Sequence, residues 1–342
     1  LMDISITRKV ALYLLEFVVK VFWAVDKILS FEWKYISGIF FKCVVFLLSF
    51  SFLGFLTYGI FSGYIHDLIV AYTTPEYFPS LQTVNVSYPL LVGTEPEPEI
   101  TALSAIVVDR KTGEVLFEKN PSEPLPPAST VKLMTALVAL DIYDLDEELI
   151  VTEKCTEVEG SRVGLPPGEK FKAGDLIMGM LIGSAGDSAC VLAVSKIGED
   201  EFVKKMNEKA LAIGMSSTHF SNPIGLDNIN GGHYTTASDL YRLAVRAVSV
   251  PKIKEAVGEK TFILESLDGS FRSSVVNTNK FLWDVPNTVG VKTGTTQGAG
   301  EVLVYEYLEE PKDTFIVVMG SRDRFKDTKI LLDWVNRNYH WK

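Results

Sequence analysis

The feature that most restricts this chain is an uncharged segment near its amino end, CVVFLLSFSFLGFLTYGIFSGYI, which runs from Cys43 to Ile65. About 20 apolar residues in a helix cross the hydrocarbon core of a bilayer, so the segment predicts a transmembrane helix. After Lys42 no lysine or arginine occurs until Arg110. Because positive residues collect on the cytoplasmic side, the chain after the helix is expected outside the cytoplasm. A cleaved signal peptide, the alternative, would have a shorter apolar core nearer the terminus.

The sequence on either side of residues 43–65 divides into three further parts. Charged residues recur at helical spacing within 10–31, which indicates an amphipathic helix on the membrane or against a partner; a first spanning helix is the alternative. Residues 1–42 are therefore assigned as a cytoplasmic or interfacial segment. Residues 66–100 hold five prolines and no clear period, which is typical of an extended linker. The remaining part, 101–342, is long enough for one large core.

Composition argues against several kinds of partner. The formal net charge is −10 and lysine and arginine form no long run, so nucleic acid is not expected as a partner. Cys43, Cys155 and Cys190 are too few and too scattered for a disulfide framework or a CxxC metal site. The four histidines do not cluster, which argues against a histidine-based metal centre. We therefore predict no metal and no cofactor.

The pattern of residues 101–342 predicts an α+β domain. LSAIVVD and EVLFEKN, two short apolar runs around RKTG, indicate a hairpin. Helical stretches follow, including TASDLYRLAVRAV, which opens with Thr236 and Asp239 in capping-box spacing. TVGVKTGTT, EVLVYEYL and TFIVVMGS then predict strands, and KILLDWVNRNY predicts a closing helix. This order indicates an antiparallel sheet built from both ends of the domain, with a mostly helical middle lobe.

The stretch PLPPASTVKLMTALVALD places Ser129 three residues before Lys132 at the start of an apolar run. Pro126 and Pro127 favour a helix start there, so the two side chains lie on one face. Apolar surroundings disfavour the charged form of a lysine, which would let Lys132 act as a base on the serine hydroxyl. The alternative is a capping serine and a lysine whose amine reaches water, and this spacing alone favours that alternative.

Two further motifs shift the balance toward catalysis. KTG at Lys292, Thr293 and Gly294 lies in a predicted strand. The glycine permits another backbone to approach the strand closely. The lysine and the threonine offer a positive charge and a hydroxyl to a carboxylate. RKTGE contains the same letters but lies in the turn of the predicted hairpin. LIGSAGDSAC places Ser184 between two helical runs, where on its own it would be an ordinary helix cap.

In this order the three motifs resemble those of the penicillin-recognising serine enzymes, and most closely the D-alanyl-D-alanine carboxypeptidases, the low-molecular-mass penicillin-binding proteins. The resemblance covers nearly all of residues 101–341. It includes AIVVDRKTGEVLFEKN, PPASTVKLMTALVALD, NPIGLDNINGGHYTTASDL, VGVKTGTTQGAGEVLV and ILLDW. It implies the DD-peptidase/β-lactamase-like fold, which agrees with the α+β pattern.

The resemblance implies three catalytic residues. Ser129 would attack the carbonyl between two D-alanines and form an acyl-enzyme, and Lys132 would take its proton. Ser184 would help to pass that proton to the departing D-alanine. The implied partners are a peptidoglycan stem peptide ending in D-Ala-D-Ala, β-lactams as covalent inhibitors, and membrane lipid.

The resemblance also implies a set of substrate-binding residues: Lys292, Thr293, Gly294, Thr295 and Arg324. The lysine and the threonine of the KTG motif would hold the terminal carboxylate of the substrate. The backbone N–H groups of Ser129 and Thr295 would form the oxyanion hole. An arginine after the last strand would assist with the carboxylate; Arg324 is expected there, with Arg322 close behind.

One residue departs from the family pattern. The second motif of the family normally reads Ser-x-Asn, whereas here Ser184 is followed by Ala185 and Gly186. The amide that usually contacts the substrate is absent. A slow enzyme is therefore expected unless Asp187, Ser188 or an ordered water substitutes, and Gly186→Asn is expected to raise the rate if the missing amide limits it.

Three functions are compatible with these observations. The first is a carboxypeptidase that trims peptidoglycan stem peptides, held in the cell membrane by its N-terminal anchor with the catalytic domain outside the cytoplasm. The second is a degenerate relative that binds wall peptide with little turnover, which Gly186 suggests. The third is a β-lactamase, which is disfavoured because no well-placed Glu-x-x-x-Asn segment between Ser184 and Lys292 supplies a deacylating base.

Overall fold

The computed structural model of this chain describes residues 87–227 and 232–342, and elsewhere only the isolated positions Lys20, Leu47, Leu48, Ser51 and Tyr58. Apart from those positions, the predicted amphipathic segment 10–31 and the predicted transmembrane helix 43–65 lie outside the described residues. Within the described part, no helix is both long enough and apolar enough to cross a membrane. Residues 85–342 form one of the two compact units of the chain.

Strands begin and end this unit, and helices lie between them. The strands are β1 (Pro89–Leu91), β2 (Ser104–Asp109), β3 (Val115–Lys119), β4 (Glu148–Ile150), β5 (Lys170–Lys172), β6 (Thr261–Glu265), β7 (Arg272–Val276), β8 (Thr288–Thr296), β9 (Gly300–Glu309), β10 (Lys312–Ser321) and β11 (Tyr339–Trp341). The helices are α1 (Lys132–Ile142), α2 (Glu153–Thr156), α3 (Ala173–Ile182), α4 (Gly186–Val194), α5 (Glu199–Ala212), α6 (Ala237–Val248), α7 (Pro251–Gly258), α8 (Phe281–Asp284) and α9 (Arg324–Asn338).

A five-stranded antiparallel sheet, in the order β3-β2-β10-β9-β8, lies at the centre of the unit. β2 and β3 precede the helices and β8 to β10 follow them, so the sheet is built from both ends of the domain, as predicted. β2 pairs with β10 in a register that places Val107 opposite Ile316. All six residues of β2 are buried, which is typical of a strand covered on both faces.

The two faces of the sheet carry separate apolar cores. Side chains alternate along β2, so Ile106 and Val108 pack among the middle helices, whereas Ala105 and Val107 pack against α9. The aromatic ring of Trp334 on α9 belongs to this second core. The helical lobe therefore covers one face, and the C-terminal helix covers the other.

Local signals in the sequence set the ends of several helices. The hydroxyl of Thr236 accepts a hydrogen bond from the N–H of Asp239 over 3.1 Å at the start of α6, which confirms the predicted cap. α7 begins directly at Pro251, where proline fits the first turn. Gly214 follows α5 with a φ of 81°, a conformation that glycine adopts without strain.

The last part of the predicted linker 66–100 is packed against this domain. β1 pairs with β11, with Pro89 opposite Trp341. The N–H of Val92 donates to the carbonyl of Asn338 over 2.8 Å, close to the C-terminal end of α9. Three residues, PLL, are too short a run to predict a strand, and the pairing depends on a partner about 250 residues away in sequence.

Candidate active site

Ser129 lies in a single 3-10 turn, Ala128–Val131, that leads directly into α1. Two glycines make room for this turn. A Cβ at Gly225 would lie 2.1 Å from the carbonyl oxygen of Ala128, and one at Gly294 would lie 2.9 Å from the backbone nitrogen of Ser129. The serine turn is therefore held between the loop at Gly225 and strand β8, in gaps that only glycine fits. Ala128 itself is buried with a left-handed φ of 49°.

Lys132 is the first residue of α1 and its side chain points at the serine. Its Nζ donates to Oγ of Ser129 over 2.8 Å and also to the carbonyl oxygen of Ile224. Burial lowers the pKa of Lys132 to about 7, and the Asp187 carboxylate acts in the opposite direction. Because the residue is only 1% exposed, its amine does not reach water. A partly neutral amine in contact with a serine hydroxyl has the geometry of a base and its nucleophile.

Lys292 and Thr293 lie on β8, on the other side of the serine turn. Burial is the main cause that lowers the pKa of Lys292 well below its ordinary value, and the positive charges of Lys132 and Arg324 add to it. A carboxylate placed beside this group of cations would be stabilised by them. The hydroxyl oxygens of Thr293 and Thr278 lie 2.6 Å apart, so Thr278 fixes the orientation of the KTG hydroxyl.

The structure places Arg324, rather than Arg322, at the end of the KTG strand. Arg324 begins α9, and its Nη1 donates to the carbonyl of Gly294 over 2.6 Å and to the hydroxyl of Thr295. Arg322 is exposed, and its backbone N–H donates to the hydroxyl of Thr101. The guanidinium of Arg324 is thus held against the strand that carries the predicted carboxylate-binding residues.

Ser184 lies in the short connection between α3 and α4, with a left-handed φ of 60° and 4% exposure. This connection adjoins the KTG strand through Thr278, whose N–H donates to the carbonyl of Ile182 over 3.2 Å and whose hydroxyl meets that of Thr293. The structure therefore brings the loop of the second motif beside the residues of the third.

A side chain at Gly186 would be tightly packed from its first carbon onward. A Cβ there would lie 3.1 Å from Cγ2 of Ile224 and 3.2 Å from the carbonyl oxygen of Ser161. The N–H of Gly186 donates to that same oxygen over 2.7 Å. The expected substitutes do not supply an amide either: the Asp187 carboxylate only accepts hydrogen bonds, and Ser188 is fully buried within α4.

The prediction for the cysteines needs a correction. Cys155 and Cys190 form a disulfide that joins α2 to α4, although they are 35 residues apart in sequence. The pairing follows from the packing of these two helices, which spacing alone does not reveal. Sequence reasoning also missed Ile224 and Thr278, because neither belongs to a motif that carries chemistry by itself.

Among residues 87–227 and 232–342, no group of three or more histidine, cysteine, aspartate or glutamate side chains is placed to hold a metal ion.

Comparison with known proteins decides the family. Residues 92–323 match the S11 peptidase family model, described as D-alanyl-D-alanine carboxypeptidase. The chain belongs to the D-alanyl-D-alanine carboxypeptidase family. It is accordingly a serine-type DD-carboxypeptidase, a hydrolase, and has the fold of the penicillin-binding proteins.

Relatives of this carboxypeptidase come from several bacteria. The D-alanyl-D-alanine carboxypeptidase DacB2 of Mycobacterium tuberculosis is 36% identical over 248 residues, which are 71% of this chain and 84% of that protein. The D-alanyl-D-alanine endopeptidase of Escherichia coli is 34% identical, over 71% of this chain and 79% of that protein.

Solved structures give the same fold. A D-alanyl-D-alanine carboxypeptidase from Mycobacterium tuberculosis matches with a TM-score of 0.67 and 32% identity, over 71% of this chain and 94% of that chain. The Streptomyces K15 DD-transpeptidase matches with a TM-score of 0.67 and 27% identity, over 71% of this chain and 99% of that chain.

Proposed function

We propose that this carboxypeptidase removes the terminal D-alanine from peptidoglycan stem peptides through an acyl-enzyme on Ser129, at the outer face of the cell membrane. The observation that carries the proposal is the 2.8 Å contact between Nζ of Lys132 and Oγ of Ser129. The low pKa of Lys132, about 7, leaves much of the amine neutral at physiological pH. A base in this state is matched to the task of taking a hydroxyl proton.

The proposed acylation moves one proton and exchanges one bond. Oγ of Ser129 bonds to the carbonyl carbon of the penultimate D-alanine while its proton passes to Nζ of Lys132. The bond between that carbon and the nitrogen of the terminal D-alanine then breaks, and the leaving nitrogen takes up the proton with the help of Ser184. Water later attacks the ester, which releases the shortened peptide and restores the serine hydroxyl.

Recognition of the substrate would depend on its terminal carboxylate. Lys292 and Arg324 would supply positive charge at β8, and Thr293 a hydroxyl held by Thr278. A bound carboxylate would raise the pKa of Lys292, because it provides the counter-charge that the buried amine lacks. The close approach of Gly294 to the nitrogen of Ser129 supports an oxyanion hole made by the N–H groups of Ser129 and Thr295.

A location outside the cytoplasm has two supports. The uncharged segment 43–65 follows the last of the N-terminal lysines, which favours a helix that leaves the cytoplasm. The disulfide between Cys155 and Cys190 is typical of proteins in oxidising compartments. Protease added outside intact spheroplasts is expected to release the catalytic domain, and full resistance with the cytoplasmic face sealed would contradict this topology.

Gly186 favours a second candidate, a penicillin-binding relative that holds wall peptide with little turnover. Loss of one well-placed donor in an acyl-transfer site costs roughly 10²–10³ in rate when that donor stabilises the transition state. A β-lactamase has less support, because the sequence lacks a well-placed Glu-x-x-x-Asn segment to supply a deacylating base.

One experiment separates the three candidates. The full chain, purified in detergent, is incubated with a fluorescent penicillin and, separately, with a diacyl-lysyl-D-Ala-D-Ala peptide. Stable labelling together with release of D-alanine is the result expected of a carboxypeptidase. Labelling without release would favour the binding protein, and rapid turnover of the penicillin would favour the β-lactamase.

A further inference from the structure

The space beside Gly186 is filled by a neighbouring loop. Residues 158–165, called the clamp loop below, supply the Ser161 carbonyl that lies 3.2 Å from a Cβ at Gly186, and Cγ2 of Val158 lies 3.5 Å from the same point. A third neighbour of this point, Cγ2 of Ile224 at 3.1 Å, belongs to a different segment, and the Ile224 carbonyl accepts a hydrogen bond from Nζ of Lys132. The clamp loop thus packs directly against Gly186, the position at which the family motif has its asparagine.

A single buried carboxylate holds the clamp loop. Asp187, in the first turn of α4, is fully buried and accepts hydrogen bonds from three consecutive backbone N–H groups. The distances are 3.2 Å to Val163, 2.8 Å to Gly164 and 3.1 Å to Leu165. Three charge-assisted bonds to one loop are a strong and directional attachment.

Two further contacts bind the same loop to the same helix. The N–H of Gly186 donates to the carbonyl of Ser161 over 2.7 Å. The disulfide between Cys155 and Cys190 joins the chain just before the loop to the second turn of α4. The N-terminal end of α4 and the clamp loop are therefore attached to each other at several points, next to the Ser184 connection.

We infer that Asp187 is a positioning residue for the acylation step, because it holds the clamp loop against Gly186, two residues after Ser184 in the second motif. The inference deepens the proposed function and depends on it. It explains how a chain with glycine in the second motif keeps an ordered wall on that side of the cleft.

The charge of Asp187 also reaches the base. The charged groups around Lys132 are Asp187 on α4 and Lys292 on β8, with Arg324 beyond Lys292. Asp187 is the carboxylate that raises the pKa of Lys132 against the effect of burial. Removal of its charge would therefore lower the pKa of Lys132 further, which a purely structural role would not do.

The test is Asp187→Asn in the full chain, with the second-order rate constant of penicillin acylation measured from pH 5 to pH 9. We expect the plateau to fall by about tenfold to a hundredfold, the range in which small displacements of a catalytic group act. The rate constant should rise with pH as Lys132 becomes neutral and then level off at the plateau. We also expect this rising part of the pH profile, called the pH limb below, to move to lower pH. An unchanged plateau and an unchanged limb, in a variant that melts like the wild type, would overturn the inference.

Asp239→Asn is the matched control. Asp239 is likewise buried in the first turn of a helix, α6, and ties down a loop by accepting from the N–H of Ser217 over 2.9 Å. It is absent from the charges that act on Lys132. We expect the control to lose thermal stability while its pH limb stays in place. A pH limb that moves equally in Asp239→Asn and Asp187→Asn would overturn the assignment to Asp187.

A second variant covers the case in which Asp187→Asn does not fold. The double change Cys155→Ser and Cys190→Ser loosens the same loop without a change of charge, so a lower plateau with an unmoved limb is expected. A pH limb that moves in this variant as it does in Asp187→Asn would overturn the inference, because the variant keeps the charge of Asp187. If the wild-type chain itself is not acylated by penicillin, the proposed function fails instead, which distinguishes the two failures.

Discussion

At the scale of single residues, the proposed mechanism depends on the effect of burial on the pKa of two lysines. Lys132 and Lys292 are each 1% exposed, and desolvation is the largest cause of the lowered pKa in both. Neutral lysine is a base, whereas charged lysine binds a carboxylate. In the proposed mechanism Lys132, which contacts Ser129, has the first task, and Lys292, on the KTG strand, has the second.

Lys132→Ala is expected to slow penicillin acylation by about 10²–10⁴-fold, the usual contribution of a positioned general base. In the wild type, the acylation rate constant should rise with pH through about pH 7, because the pKa of Lys132 lies there and only the neutral amine accepts a proton. Stopped-flow quenching of protein fluorescence by penicillin measures both. A wild-type rate that is flat between pH 5 and pH 9 would contradict the role of this lysine.

Thr278→Val is expected to lower kcat/KM for the D-Ala-D-Ala peptide by roughly fivefold, because a single hydrogen bond of about 1 kcal/mol orients the Thr293 hydroxyl. Thr278→Ser, which keeps the hydroxyl, should restore most of the activity. Steady-state release of D-alanine measures the effect. Equal activity of the valine and serine variants would show that the 2.6 Å contact has no part in recognition.

At the scale of elements, glycines decide how closely the serine turn and strand β8 approach. Gly294→Ala would place a Cβ 2.9 Å from the nitrogen of Ser129, a distance that requires the strand or the turn to shift. Because a displacement of about 1 Å in a catalytic group can cost 10²-fold, we expect acylation to fall by about that factor. A variant with normal acylation and normal thermal stability would contradict the tight approach of these two elements.

The motif alone suggests that Gly186→Asn would raise the rate of D-alanine release, but the packing around Gly186 predicts a different outcome. A side chain at this position meets Ile224 and the carbonyl of Ser161, so the variant should be destabilised and should not gain activity. Thermal unfolding and D-alanine release, measured side by side, check this. A tenfold gain in release with unchanged stability would show that the missing amide limits the enzyme after all.

The elements that the sequence predicted are those with local signals. The capped helix at Thr236, the strand with KTG and the serine turn before α1 each follow from residues within a few positions of one another. The features that the sequence could not predict depend on contacts between distant segments. β1 pairs with β11, the disulfide joins α2 to α4, and the clamp loop fills the space beside Gly186. Such contacts are set by packing, which spacing along one chain does not encode.

At the scale of the whole molecule, a buried acidic pair makes stability depend on pH. Glu306 on β9 is 1% exposed. Burial is the main cause that raises its pKa to about 7, and the nearby Asp313 carboxylate adds to it. The guanidinium of Arg110, 2.9 Å from the Glu306 carboxylate, lowers this pKa. The folded pKa lies above the ordinary value of 4.5, so the folded state binds the proton more tightly. The contribution of protonated Glu306 to the free energy of unfolding is therefore complete below about pH 4.5 and is lost as the pH rises to about 7.

Glu306→Gln should therefore remove a part of the decline in thermal stability between pH 4.5 and pH 7. Glu118→Gln, a change at an exposed position on β3, is the control and should follow the wild type. Differential scanning calorimetry across this range gives the comparison. Parallel curves for the wild type and Glu306→Gln would show that this carboxyl does not contribute to the pH dependence.

The most direct test of the central claim is to locate the covalent bond itself. The full chain is labelled with penicillin, digested, and mapped by mass spectrometry, and the same is done for Ser129→Ala. We predict a single penicilloyl adduct on the peptide that contains Ser129, and no adduct in a folded Ser129→Ala variant. An adduct on another residue, or labelling of Ser129→Ala at the wild-type rate, would contradict the account.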